Sequence, residues 1–290
     1  RQGKRVVRFK GGDPFVFGRG SEEAEALVEA DLPFEVVPGV TSGIAGPAWA
    51  GIPVTHRREA VNVTFMTAHE CEKDQSQIRW DLLAQDPSST LVAYMGMKAL
   101  PGMVNRLLGA GMNPETPAAV VERGTTSAQR CVISTISGLP EAVRRAALDP
   151  PALIVIGPTV RHADRLDWVV RRPLAGRRVF LVRGTSWAEA LEYAGAEVVE
   201  VSLPLTPAAH VVLEALPLTD VVVASREEVE ALDLVRGGVG WGPDVTAWCV
   251  GPESRQRARE FGWNRVERAE IEVRCNELVE QLAAQTARRD

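Results

Sequence analysis

The chain has 290 residues, 45% of them hydrophobic and 24% charged, with a formal net charge of −5, enough for two domains or slightly more with a buried core. The acidic balance argues against a nucleic-acid scaffold, which carries a basic field. No apolar run approaches the length that crosses a bilayer, and the first residues lack the charged-then-apolar pattern of a signal peptide, so cytoplasm is the expected compartment.

Residues 5–9 (RVVRF) read as a strand that ends in Gly11-Gly12-Asp13-Pro14. Paired glycines bare the backbone for close approach, and in open α/β sheets ligands bind beyond the carboxyl ends of strands. Read alone, the pair fits a strand-to-helix turn better than a binding loop. A helix is expected at about 21–30, with Ser21 as N-cap and Glu22 and Glu23 in the first turn. A strand at 34–37 and a helix at about 41–50 follow, and the small residues of SGIAGPAWAG point to close packing or close approach to a ligand. Because Arg1 is not methionine and a strand begins almost at once, the chain reads as a fragment with an incomplete first lobe.

From Val61 a new run of strands begins: VNVTFMT, STLVAYMG, AAVVERG, CVISTI and ALIVIG, with helices at about 98–110 and 138–147. The alternation in 61–67 and 131–136 suggests antiparallel strands in a mixed second lobe. Residues 159–175 turn charged and end in Arg-Arg-Pro, and are read as a linker. A third unit, 176–290, follows the order GRRVFLVRG, a helix at about 186–194, GAEVVEV, TDVVVAS, VTAWCVG and a terminal helix at about 274–287, a doubly wound α/β pattern.

The four cysteines, Cys71, Cys131, Cys249 and Cys275, are widely spaced with no C-x-x-C pair, which suits reduced thiols. His69 and Cys71 have no second pair of ligands to complete a site, so no metal is expected. No G-x-G-x-x-G follows a strand with an acidic residue about 20 positions on, which disfavours a dinucleotide-dependent oxidoreductase.

The blocks GGDPFVFGRGSEEAEAL, PFEVVPGVTSGIAGPAWAGIPVTHR, YMGM, VVERGTTSAQR and PALIVIG stand in one order and spacing from about Gly3 to about Trp168. They resemble the uroporphyrinogen-III C-methyltransferases of the tetrapyrrole methylase family. The resemblance implies a two-lobed α/β fold with a first lobe over 1–57, incomplete here, and a second lobe over 58–158. It implies S-adenosylmethionine as cofactor, with contacts falling on Gly11, Gly12, Asp13, Val16, Thr41, Ser42, Met95 and Gly124. Each has a bland alternative: Asp13 initiates a turn, Thr41 and Ser42 cap a helix, and Met95 sits in the core.

The acceptor implied is uroporphyrinogen III, whose eight carboxylates call for a basic rim; Arg8, Lys10, Arg19, Arg57, Arg58, Arg123 and Arg130 are the candidates. His56 is read as structural or substrate-proximal. The family's catalytic acid and base positions precede the matched blocks, so no catalytic residue is assigned. The product would be precorrin-2, on the way to sirohaem and cobalamin-type compounds; a methylase of a later corrinoid, or a noncatalytic binding or assembly module, are the alternatives. A homodimer is implied. The third unit resembles one lobe of uroporphyrinogen-III synthase, with Val223-Ala224-Ser225 where that family has Phe-Thr-Ser, and is not expected to act as a synthase alone.

Overall fold

The computed structural model describes residues 3–68, 78–182, 187–216, 218–236, 241, 245–268, 279–280 and 283–284. His69, Cys71, Cys275 and most of the helix expected at 274–287 lie outside them. The chain divides into two compact units, Arg1–Trp168 and Val169–Asp290.

The first unit opens with helices α1 (Gly20–Glu29) and α2 (Ser42–Trp49), and continues with β1 (Asn62–Thr67), α3 (Trp80–Gln85), β2 (Ser89–Tyr94), α4 (Leu100–Gly109), β3 (Pro117–Glu122), β4 (Arg130–Thr135), α5 (Leu139–Ala146), β5 (Ala152–Ile156), a 3-10 turn (Pro158–His162) and α6 (Ala163–Leu166). The strands form one sheet in the order β1-β2-β5-β3-β4. β2 is buried along its whole length, and its side chains alternate between two cores. Leu91 and Ala93 join Ala118, Val120, Ile154 and Ile156 beneath α4 and α5. Val92 and Tyr94 join Ala119, Val121, Leu153 and Val155 against Ala50, Ile52, Val160 and Ala163.

Three expectations need correction. Residues 5–9 and 34–37 form no ladder among the described residues; Val6, Val7 and Phe9 are more than four-fifths exposed, because a strand owes its stability to neighbours these segments lack here. Of the two segments expected to be antiparallel, β4 is so, against β3, whereas β1 runs parallel to β2; β5 is also antiparallel to both of its neighbours. β1 is an edge strand with mixed burial, and half-exposure of an edge produces the same alternation as an antiparallel strand. Ser21 lies inside α1: the helix begins at Gly20, whose amide donates to the Pro14 carbonyl at 3.0 Å, and a Cβ there would stand 2.4 Å from that same oxygen.

The stretch 159–175 is also not one linker. Val160 and Ala163 are buried in the first unit, and the Trp168 indole donates to the Ala48 carbonyl at 3.0 Å, whereas Leu174 is buried in the second unit.

The second unit contains β6 (Arg178–Val182), α7 (Ala188–Tyr193), β7 (Glu197–Val201), α8 (Pro207–Ala215), β8 (Asp220–Val223), α9 (Arg226–Arg236), β9 (Thr246–Cys249), α10 (Pro252–Glu260) and β10 (Arg265–Arg268). Its sheet has the order β7-β6-β8-β9-β10, with every neighbouring pair parallel. Both faces are apolar: Val179, Leu181 and Val222 enter one core and Phe180, Val221 and Val223 the other, as an all-parallel sheet covered on two sides requires. Asp220, the first residue of β8, is fully buried, receiving the Arg177 guanidinium, the Trp248 indole at 2.9 Å and the Thr219 hydroxyl at 2.6 Å.

Candidate functional site

Two loops of the first unit meet backbone to backbone. Asp13 accepts the Phe15 amide at 2.9 Å with one carboxylate oxygen and the Gly39 amide at 3.1 Å with the other. The turn at Asp13 is therefore real, and the same side chain also ties residues 11–13 to residues 38–40. A Cβ on Gly39 would lie 2.1 Å from the Gly12 carbonyl oxygen. Gly12 itself has φ +71°, in the left-handed region, whereas nothing lies within 4 Å of where a Cβ on Gly11 would be. Val16 packs half-buried on the core that contains Tyr94.

The second loop leads into α2, and there Tyr94 takes the capping role that was the alternative reading of Thr41 and Ser42. Thr41 precedes the helix with extended dihedrals, yet its hydroxyl caps nothing; it lies 2.7 Å from the Tyr94 hydroxyl. That phenol oxygen also accepts the Gly43 amide at 2.8 Å. Gly43 has to be glycine, since a Cβ there would meet the Tyr94 hydroxyl at 2.2 Å. Close packing thus explains the small residues of α2, and Gly46 repeats the point: its Cβ would stand 2.8 Å from Leu153. Ser42, the first residue of the helix, is exposed.

Met95 follows Tyr94 with φ 54° and is 52% exposed, so it is not in the core. Gly124 sits between Arg123 (φ 46°) and Thr125 (φ 74°), and a Cβ on it would approach the Gly46 Cα to 3.0 Å. Gln129 holds this loop to the helix: its amide donates to the Trp49 carbonyl at 3.1 Å, and its oxygen accepts the Thr125 amide at 2.9 Å. The structure therefore links residues 12–13, 39–46, 94 and 124 through a continuous set of contacts. Tyr94, Gly39 and Gln129 were missed as individuals, although each stands inside a quoted block.

The basic candidates divide. Arg8 and Lys10 both contact Glu23, at 3.2 and 3.0 Å, and Arg19 contacts Glu22 at 3.3 Å. Arg130 is committed to architecture: it pairs with buried Glu122 and donates to the Ala146 and Ala147 carbonyls at the end of α5, at 3.1 and 2.8 Å, the carbonyls a helix leaves unbonded. The Arg130 hydrogen bond outweighs burial and, with the Asp149 amide, holds the Glu122 carboxyl below the usual range. Arg57, Arg58 and Arg123 are exposed.

His56 stacks on His162, with ring centroids 4.7 Å apart and planes 24° apart. Glu59 contacts His162 Nε2 at 2.8 Å and Arg161 at 3.1 Å. Burial pushes the Glu59 carboxyl up, but these two hydrogen bonds more than offset it and leave it lowered. His56, Glu59 and His162 each offer a donor atom within 4.8 Å of the others. The rings are nearly parallel, so their in-plane lone pairs do not converge, and Arg161 brings a positive charge to the same carboxylate. The geometry is that of a stacked pair, not a tetrahedral metal site.

Residues 1–140 match the family model described as Tetrapyrrole (Corrin/Porphyrin) Methylases. The chain is 48% identical over 168 residues to a uroporphyrinogen-III C-methyltransferase of Bacillus subtilis, covering 58% of this chain and 65% of the relative. It is 43% identical over 168 residues to a siroheme synthase of Thioalkalivibrio sulfidiphilus, covering 58% of this chain and 34% of that one. A crystal structure of uroporphyrin-III C-methyl transferase from Thermus thermophilus complexed with S-adenyl homocysteine is 37% identical, covers 54% of this chain and 67% of that chain, and superposes with a TM-score of 0.46. The chain thus spans just under two thirds of the first relative and about a third of the second. Over residues 1–140 the first unit is thus similar to the tetrapyrrole methylase family.

Proposed function

We propose that the first unit binds S-adenosylmethionine along Gly11, Gly12, Asp13, Val16, Thr41, Ser42, Met95 and Gly124, and serves C-methylation of uroporphyrinogen III to precorrin-2 in sirohaem and cobalamin-type biosynthesis. The observation that carries this reading is the linkage of four segments far apart in sequence, through Asp13 to Gly39, Thr41 to Tyr94 and Gly124 to Gly46. The family match and the curated relatives' names, a C-methyltransferase and a siroheme synthase, support it.

The residues present fit the group. Open space at Gly11 and the bared backbone of Gly12 suit a polar ligand that approaches the main chain, and exposed Met95 offers a soft apolar surface to an adenine or a sulfonium. When bound, S-adenosylmethionine supplies an electrophilic methyl group. The protein's part is to hold and aim, because positioning and a matching electrostatic environment carry most of the rate of an in-line displacement. Arg57, Arg58 and Arg123 would meet the acceptor's carboxylates, while Arg130 is held by Glu122 and α5.

In the same reading the protein is a cytoplasmic homodimer, and the second unit is a single uroporphyrinogen-III synthase-like lobe; its β7-β6-β8-β9-β10 order supports a doubly wound lobe. Isothermal titration of the whole chain with S-adenosylhomocysteine tests the reading. Micromolar binding, followed by methyl transfer to uroporphyrinogen III in the presence of S-adenosylmethionine, is the expected result. A folded chain that takes up no S-adenosylhomocysteine would overturn it, and transfer only to a later corrinoid would redirect it.

A further inference from the structure

We propose that Tyr94 is a positioning residue that sets the affinity of this cleft by capping α2 from a neighbouring strand; the inference rests on the reading of the cleft as an S-adenosylmethionine site. A helix leaves its first amides unbonded, and the side chain just before it ordinarily accepts from the second or third of them. In α2 that side chain is Thr41, the amide is that of Gly43, and the acceptor is the Tyr94 phenol at 2.8 Å. The substitution is built in. Gly43 has no Cβ where one would strike the phenol at 2.2 Å, and the Thr41 hydroxyl is turned to the same oxygen at 2.7 Å.

The phenol is held on three sides. Tyr94 is 8% exposed and Thr41 is 6% exposed, so neither hydroxyl exchanges this contact for water. The ring contacts Phe17, at 4.8 Å from centroid to centroid, and Phe65, at 6.1 Å edge-on. Phe17 belongs to the segment that follows Asp13, so the Tyr94 ring touches that segment while its hydroxyl touches α2. The next residue in the chain is Met95, exposed and in the left-handed region at φ 54°, a conformation that persists only when its surroundings over-determine it. Fixing the Tyr94 side chain at both ring and hydroxyl therefore fixes where the Met95 backbone departs from β2. One buried side chain sets the mutual placement of Thr41, Ser42 and Met95.

The test uses Tyr94→Phe and Thr41→Val in the whole chain. Each is titrated calorimetrically with S-adenosylhomocysteine, melted without ligand, and examined by NMR with 13C-methyl-labelled methionine. The expected result for Tyr94→Phe is a Kd weakened about tenfold, a shifted Met95 methyl resonance and a small fall in Tm. The double variant should be weakened by less than the product of the single effects, because both act on one hydroxyl pair. A lower Tm with Kd and the Met95 resonance unchanged would mean that Tyr94 only supports the fold, and would overturn the proposal. Should Tyr94→Phe fail to fold, Thr41→Val decides alone: an unaltered Kd overturns the proposal. Binding by the wild type with equal binding by the variants defeats this inference and leaves the reading of the cleft standing; absence of binding by the wild type removes both.

Discussion

Gly39 faces Gly12 so closely that a Cβ on the one would stand 2.1 Å from the carbonyl oxygen of the other. Neither loop can yield by rotating a side chain, because the opposing atom is main chain. Gly39→Ala is expected to separate the two loops, lowering Tm by several degrees and weakening S-adenosylhomocysteine binding at least tenfold, read by thermal melts and titration. Gly12→Ala should be milder: the nearest atoms to its Cβ are 3.6 Å away, and the cost is the left-handed φ alone, about 1–2 kcal/mol.

Asp13 makes one bond within its own turn and one across to Gly39. Asp13→Ala loses both, a stability cost of about 1–3 kcal/mol at roughly 1 kcal/mol per bond, whereas Asp13→Asn keeps a single acceptor oxygen and should retain part of the effect. Urea melts of the two variants give that ranking; equal losses would show that the side-chain oxygens do not act separately.

Glu122 predicts a pH dependence. Its carboxyl is lowered below 4.5, first by the Arg130 hydrogen bond. A carboxyl with a depressed folded pKa adds stability that is present above its unfolded pKa and disappears as pH falls through the folded one. Glu122→Gln should therefore destabilise the first unit at pH 7 and do so by less at pH 3. Paired denaturant titrations at the two values check the sign.

The second unit has its own weak point in the buried Asp220. Asp220→Ala removes the carboxylate that pairs with Arg177 and accepts the Trp248 indole, and breaking a buried ion pair from one side costs about 3–5 kcal/mol. Calorimetry of the whole chain should then show an early transition attributable to residues 169–290, reported by the environment of Trp248, while the first unit melts as before.

Cys131 lies against the core that contains Tyr94, and burial, with the Asp167 charge, pushes its thiol up to about 12. The thiolate fraction at neutral pH is therefore negligible. Alkylation by iodoacetamide at pH 7.5, mapped by peptide mass, should leave Cys131 unmodified in the native protein and label it after denaturation.

Most elements were legible because their patterns are local. β2, β3 and β5 are continuous apolar runs with turn signals at their ends, and α4 and α5 appear within two residues of their expected bounds. Local pattern does not carry partnership. Residues 5–9 have a strand's composition without a ladder, and β1 alternates because it lies at an edge. Tyr94 was hidden for a related reason. In a run that is buried throughout, nothing distinguishes a tyrosine that packs from one whose hydroxyl accepts from another helix. Gly43, which makes room for it, was legible only as an unusually small residue in a helix. Arg130 looked like a surface cation in a motif; its role depends on α5 ending beside it, which the spacing of residues does not reveal.

The strand order of the first unit has a consequence for synthesis. β5 is made last of its five strands but lies third in the sheet, bonded on one edge to β2 and on the other to β3. Until residue 156 has left the ribosome, two strands buried in the finished protein present bare facing edges, the arrangement most open to wrong pairing. The family match ends at residue 140, so a nascent chain that has completed the matched segment still lacks the strand that closes its sheet. The last of the ordered blocks, PALIVIG, is thus the strand on which the sheet of the earlier blocks closes.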